Sequence, residues 1–196
     1  LIDSKARLLA HAADTLKLKL DTATLRDAAA EIEWRKVSRL SIEQYAASGR
    51  AMPPTLTLER SAELQQAYEN LKDERRQLDF EDVLLAAAGM IELEPRVAQQ
   101  VREQYRFFVV DEYQDVSPLQ HRLLTLWLGD RRDLCVVGDA NQTIYTFAGA
   151  SSDYLLGFER DHPGAEVVRL ERNYRSAPQI LDVANRLMRG RPGALD

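Results

Sequence analysis

The chain has 196 residues, 45% of them apolar and 29% charged, which is ordinary for a globular protein and enough for one good core or one and a half domains. No apolar run approaches the roughly 20 residues that span a bilayer, and Leu1-Ile2-Asp3-Ser4-Lys5 does not form a signal peptide, so a cytoplasmic protein with no membrane partner is expected. The net charge of −5 is uneven, with 13 basic and 12 acidic side chains in residues 1–78 against 13 and 19 in residues 79–196; this balance does not itself suggest nucleic acid, although a local groove can be basic on an acidic protein.

Residues 1–78 read as wholly helical. Leu8, Leu9, Ala12 and Leu16 recur at helical spacing. Thr24-Leu25-Arg26-Asp27 reads as a cap opening a second helix, with Leu25, Ala29 and Ile32 on one face. Ser41-Ile42-Glu43-Gln44 matches a capping box, Gly49 is the expected stop, and Met52-Pro53-Pro54-Thr55 is a break. A longer helix follows with Leu64, Tyr68 and Leu71 as its stripe. It runs into Lys72-Asp73-Glu74-Arg75-Arg76, a charge run expected to form a solvated face.

The character changes near Leu78. Asp79-Phe80-Glu81-Asp82 opens a more apolar helix to about Ile91, and Pro95 opens another to about Gln104. Phe107-Phe108-Val109-Val110 then reads as a strand buried on both faces, as in a parallel sheet. Ser117-Pro118-Leu119-Gln120 is a strong helix start, the helix carries Leu119, Leu123, Leu124 and Leu128, and Gly129 ends it. A second buried strand is expected over Leu134 to Val137, with Cys135 as a small buried hydrophobe. A short helix from Ser152 to Arg160, a turn at His162-Pro163-Gly164 and a third strand over Glu166 to Leu170 follow. Ser176-Ala177-Pro178-Gln179 is expected to cap a last helix ending near Gly190, with Arg191-Pro192-Gly193 as a linker or cut end. Strands alternating with helices at this spacing argue for a parallel α/β sheet after an all-helical region.

Chemistry collects where strands end. Phe107–Val110 runs straight into Asp111, Glu112, Gln114 and Asp115, so four polar groups converge at a strand's carboxyl end, where open α/β sheets put their ligands. In a hydrolytic reading Asp111 helps hold Mg²⁺ and Glu112 orients or deprotonates water; the plain alternative is a solvated acidic loop. The second strand repeats the device with Gly138-Asp139, followed by Gln142, which is placed to touch a terminal phosphate. Tyr145 and Phe147 alternate, so both can face one groove and stack bases, or serve as ordinary core aromatics. At the third strand's end, Arg172, Tyr174 and Arg175 suit phosphate binding and stacking, against an ordinary structural role for the arginines in pairing carboxylates. His11, His121 and His162 are scattered and the single cysteine allows no internal disulfide, so neither a zinc site nor a disulfide framework is expected.

Val-Val-Asp-Glu-Tyr-Gln-Asp at 109–115, Val-Gly-Asp-Ala-Asn-Gln-Thr-Ile-Tyr at 137–145 and Leu-Glu-Arg-Asn-Tyr-Arg-Ser at 170–176 occur in this order and spacing, with Leu-Asp-Phe-Glu-Asp at 78–82 upstream. Together they closely resemble the UvrD/PcrA/Rep-like helicases of superfamily 1, specifically from about 78 to 189 and more loosely over 1–77. The resemblance implies part of a RecA-like P-loop NTPase domain plus an all-α inserted subdomain. On that reading, residues 1–77 are the inserted subdomain, 78–176 the C-terminal portion of the first RecA-like domain, and 177–196 the start of the connection to a second. It implies ATP and Mg²⁺ as cofactors, single-stranded DNA and single/double-strand junctions as partners, and 3′→5′ movement, with DNA repair or recombination as the setting. By resemblance Asp111 and Glu112 would be the Mg²⁺ ligand and the catalytic carboxylate, and Gln142 would sense the γ-phosphate. Tyr145 and Phe147 would lie along the DNA, Tyr174 would stack on adenine, and Arg175 would reach the γ-phosphate.

Three departures qualify the resemblance. Phe147 stands where many relatives have Trp, and Ala148 replaces a common Arg. No Gly-x-x-x-x-Gly-Lys-[Ser/Thr] phosphate loop occurs, and no Gly-Lys pair at all. The expectation is therefore an internal piece of such a helicase, inactive alone and completed by N- and C-terminal parts of the same protein; the lack of an initiator Met agrees with this. Two other readings compete: a catalytically dead DNA- or partner-binding module, and a metal-dependent nuclease. The nuclease fares worst, because its common core wants a Lys beside the acids and none follows Lys72.

Overall fold

The computed structural model describes residues 1–53, 55–170 and 172–190. The helical region comprises α1 (Lys5–Thr15), α2 (Thr22–Val37), α3 (Ile42–Ala46) and α4 (Leu58–Arg75). Leu8, Leu9 and Ala12 of α1 meet Ala28 and Ile32 of α2 and Leu64 and Tyr68 of α4 in one buried cluster. The predicted stripes thus face a common core. The start of α2 differs from expectation: its cap is Asp21, whose carboxylate accepts the Thr24 N–H at 2.8 Å, so the helix begins before the predicted Thr24. Asp is as good an N-cap as Thr or better, which is why the earlier residue wins.

The second half continues with α5 (Phe80–Leu93), α6 (Pro95–Gln104), β1 (Phe108–Val110), α7 (Pro118–Leu128) and β2 (Leu134–Val136). Its helix starts are as the sequence marks them. Asp79 and Asp82 form a reciprocal capping box, as do Ser117 and Gln120, and Pro95 and Pro118 open their helices. Ala88, Ile91, Ala98, Leu119, Leu123 and Leu126 join α5, α6 and α7 in a second core cluster. Arg131 fastens the ends of α6 and α7: its guanidinium donates to the carbonyls of Arg102, Tyr105, Arg106, Trp127 and Leu128 at 2.8–3.2 Å. Those are carbonyls a helix terminus leaves without intrahelical partners, where a cation is favoured.

β1 and β2 pair in parallel, Phe108 beside Leu134 and Val110 beside Val136, with α7 as the crossover. Phe108, Val110, Leu134 and Val136 pack on a third cluster around Tyr113, Val116 and Leu124. The opposite face carries Val109, 77% exposed, and Cys135, also exposed. Burial of these strands on both faces, and of Cys135 in particular, is therefore corrected: among the described residues only one face of the sheet is covered.

The C-terminal stretch departs further. The single helix expected from Ser152 is two short ones, α8 (Asp153–Leu156) and α9 (Phe158–Asp161), broken at Gly157. Residues 166–170 form no strand; Val168 and Leu170 are 72% and 85% exposed, and with no partner strand alongside no ladder forms. The last helix, α10 (Pro178–Met188), has Ala177 at its cap and no side-chain cap bond, so Ser176 does not play the expected part. The expected linker at 191–193 lies outside the described residues.

The charge run after α4 also reads differently in three dimensions. Lys72 is buried, and so is Lys36 of α2; both ammonium groups share Glu69, Asp79 and Asp82. Lys36 Nζ lies 2.7 Å and Lys72 Nζ 3.0 Å from Asp79 Oδ2, which also accepts the Tyr68 hydroxyl at 3.0 Å. Arg35 donates to Glu69 at 2.7 Å and to Gln65 at 2.6 Å. Three cations thus balance three carboxylates where α2 and α4 meet the start of α5. Burial alone would raise the Asp79 carboxyl, but the Lys36 hydrogen bond and charge, with the Asp82 N–H, hold it below the usual carboxylate range. Burial would lower the Lys72 ammonium, and its bonds to Asp82 and Glu69 raise it instead.

Candidate functional site

The two strand ends lie side by side, and a buried glutamine ties them together. Gln114 is 1% exposed; its Oε1 accepts the Asp139 N–H at 3.0 Å and its Nε2 donates to Glu112 Oε2 at 2.6 Å. Gly138 makes this possible. A Cβ there would stand 2.6 Å from Gln114 Oε1 and 3.2 Å from the Tyr113 backbone nitrogen, so any larger residue would displace the Gln114 side chain from its bond to Asp139. Asp139 extends the tie: Oδ1 accepts the Asn141 N–H at 2.9 Å and Oδ2 accepts Gln142 Nε2 at 3.0 Å. Gln142, Asp139, Gln114 and Glu112 therefore form one hydrogen-bonded relay across the strand ends.

Glu112 itself is held in the left-handed region, at φ 52° and ψ 42°. A non-glycine residue there is uncommon, and strain of this kind clusters at functional sites. Its backbone N–H donates to Asp111 Oδ1 at 2.9 Å, and both carboxylates are exposed. Asp115 turns the other way, with Oδ1 accepting the Ile144 N–H at 3.3 Å, so it braces the loop after β2.

Asp111, Glu112, Gln142, Tyr174 and Arg175 all line one open cleft of about 1990 Å³. Three separate stretches of chain contribute to it. Tyr174 is 82% exposed with the Arg172 guanidinium 5.0 Å from its ring centre, and the Arg175 backbone N–H is held by Asn173 Oδ1 at 2.8 Å. Tyr145 and Phe147 lie outside the cleft lining. They stand together, ring centres 6.0 Å apart, and are 50% and 68% exposed, so they are not core aromatics. The predicted residues thus form two groups, five around the cleft and an aromatic pair beside it. Sequence reasoning missed the bracing role of Gln114 and Asp139; the signal was there in a Gln two residues after Glu112 and an acid after Gly138, both counted only as converging polar groups.

Among the described residues no three or more His, Cys, Asp or Glu side chains gather into a metal cage. An exposed Asp-Glu pair suits a hard cation such as Mg²⁺, which keeps several waters and takes only one or two carboxylates from the protein. No helix among the described residues is long and apolar enough to cross a membrane.

Comparison with known proteins agrees with the motifs. The UvrD/REP helicase N-terminal domain family matches residues 2–163. The chain is 51% identical over 194 residues to the ATP-dependent DNA helicase UvrD2 of Mycobacterium tuberculosis strain H37Rv, an alignment covering 96% of this chain and 28% of that protein. It is 38% identical over 124 residues to the ATP-dependent DNA helicase PcrA of Leuconostoc citreum, covering 63% of this chain and 17% of that one. A putative ATP-dependent DNA helicase, YjcD of Bacillus subtilis, is 34% identical over 122 residues, covering 62% and 16%. The chain therefore spans little more than a quarter of the length of the first of these relatives. With a family match over most of its length, residues 2–163, the chain belongs to the UvrD/REP helicase N-terminal domain family.

Proposed function

We propose that this chain supplies the carboxylate and arginine side of an ATP-driven motor that moves 3′→5′ on single-stranded DNA and works at single/double-strand junctions, in repair or recombination in the cytoplasm. The observation that carries the reading is the convergence of Asp111, Glu112, Gln142, Tyr174 and Arg175, from three stretches of chain, on one cleft. Residues 1–77 serve as a helical subdomain inserted into a RecA-like domain, 78–176 as the later portion of that domain, and 177–196 as the beginning of a connection onward.

In this reading Asp111 and Glu112 would hold Mg²⁺, which would supply positive charge to offset that of the phosphates. Glu112 orients the attacking water and accepts its proton. Arg175 offsets the charge that develops on the transferred phosphoryl group, and Tyr174 stacks on the adenine. Gln142, bonded through Asp139 and Gln114 to Glu112, links the phosphate end of the cleft to the loop carrying Tyr145 and Phe147, on which the bases stack. The phosphate loop absent from this sequence is supplied by another segment of the same protein.

The test is ATP hydrolysis with Mg²⁺ and an oligothymidylate, in this chain and in a version extended to include a phosphate loop. DNA-stimulated turnover is expected only in the extended protein, and Glu112→Gln should abolish it. Robust turnover by residues 1–196 alone, lost in Glu112→Gln, would overturn this division of labour.

A further inference from the structure

The loop bearing Tyr145 and Phe147 is tied at its two ends to the segment after β1, where Asp115 accepts the Ile144 N–H and Val116 the Ser151 N–H, and its Gly149 rests on the helical region. After the 3-10 turn Thr146–Ala148, Gly149 takes φ +92° and lies against the last turn of α2. A Cβ on Gly149 would stand 2.7 Å from Val37 Cγ2, 3.6 Å from Ser38 Oγ and 3.7 Å from Trp34 Cδ1. The Ala148 and Ala150 N–H groups both donate to the Tyr145 carbonyl, at 2.9 and 3.1 Å, so the aromatic pair and Gly149 form one tight unit. That turn of α2 is itself fixed from two sides. Lys36 is held in the buried ionic cluster with Asp79 and Asp82. Trp34 is covered by the Arg50 guanidinium, 3.8 Å above its ring, and Arg50 is paired with Glu31 at 2.8 Å.

We propose that Gly149 and Val37 are positioning residues: the end of α2 is the seat on which the Tyr145–Phe147 loop is presented to single-stranded nucleic acid, so the helical region sets the grip of the aromatic pair. The inference rests on the reading of that pair as a stacking platform. It differs from that reading in assigning part of the nucleic-acid affinity to residues that touch no base. A seat of this closeness admits no side chain at 149, and its shape is set by the Val37 methyl group facing it.

The experiment titrates a labelled oligothymidylate of about 16 nucleotides into the chain and follows anisotropy. Four variants are compared with the parent: Gly149→Ala, Val37→Ala, the two combined, and Tyr145→Ala with Phe147→Ala. Gly149→Ala should weaken binding at least about fivefold, the equivalent of losing one base stack. An alanine at φ +92° is strained whatever the space, but Val37→Ala removes the 2.7 Å clash, so the combined variant should recover part of the affinity lost in Gly149→Ala. A merely structural role predicts the reverse, since Val37→Ala removes packing and should compound the damage; the urea midpoint of each variant, measured alongside, records that loss separately. In a Trp127→Phe background Trp34 is the one tryptophan, and its emission should change when oligothymidylate binds and change less in Gly149→Ala. If Gly149→Ala binds like the parent, or the combined variant binds no better than Gly149→Ala, the seat is refuted while the stacking role stands. If removing both aromatic rings leaves affinity unchanged, the stacking reading falls, and the seat with it.

Discussion

Asp79 does two jobs through two oxygens, and replacing it with Asn separates them. Oδ1 caps α5 by accepting the Asp82 N–H at 2.9 Å, while Oδ2 faces Lys36 Nζ at 2.7 Å, Lys72 Nζ at 3.0 Å and the Tyr68 hydroxyl at 3.0 Å. The Asp79 side chain is 0% exposed, and those of Lys36 and Lys72 are 3% and 2% exposed. Asn is an equally good cap, but its amide group would then point two donors at two ammonium groups. Three buried cations would face only Glu69 and Asp82. Removing one partner from a buried ion cluster costs about 3–5 kcal/mol, a large share of the roughly 5–15 kcal/mol by which domains are stable. With a urea slope of about 2 kcal/mol/M, the unfolding midpoint of Asp79→Asn should fall by about 1.5–2.5 M. The assay is urea unfolding followed by far-UV circular dichroism. The control is Glu63→Gln, which breaks the exposed pair with Arg60 and should move the midpoint by less than about 0.5 M. If Asp79→Asn shifts the midpoint no more than this control, the cluster does not hold the helical region to α5 and the reasoning fails.

The same cluster fixes the sign of a pH dependence. The Asp79 carboxyl is depressed in the folded chain, so its contribution is present above about pH 4, its unfolded range, and is lost as pH falls through the lower folded value. Lys72 is raised, so its contribution is present below about pH 10 and is lost only as pH climbs through its higher folded value. The midpoint gap between the parent and Asp79→Asn should therefore be constant from about pH 5 to 9 and close below pH 4; a gap that closes already near neutrality would contradict the assignment. Gln114→Ala should remove the acceptor of the part-buried Asp139 N–H and release Glu112, at a cost of about 0.5–1.5 kcal/mol per bond in unfolding free energy. In the protein extended by a phosphate loop, the same change should lower turnover more than it weakens oligothymidylate binding. Equal loss of both would show that Gln114 supports the whole domain rather than the strand ends.

Helix starts were the most legible part of the sequence, because a cap is a local event. Asp79 with Asp82, Ser117 with Gln120, and the prolines at 95 and 118 each act within one turn, and each appears where the sequence marks it. Lys72 shows where local reading ends. In the run Lys72–Arg76 it looks like its solvated neighbours, and its burial depends on Lys36, Asp79 and Asp82 arriving from other elements. The strand at 166–170 fails for a related reason, since apolar alternation makes a strand only beside a partner edge. The cleft residues were legible by type and spacing. Their bracing was not, because the approach of Gln114 to Gly138 joins two strand ends that are 24 positions apart along the chain.

The uncovered face of the two-stranded sheet has a practical consequence. Cys135 is the one thiol in the chain, and it stands at the middle of β2 on that face, in register with Val109. Thiol chemistry is gated by access, so its alkylation rate is a direct meter of whether anything lies over the sheet. A polypeptide that packs against Val109 should slow the reaction at Cys135, and so should a ligand that fills the cleft, because Cys135 also lines it. A single kinetic constant, read without mutation, thus reports cover over the sheet from either source, and adding ATP with Mg²⁺ to the isolated chain reads the ligand's share alone.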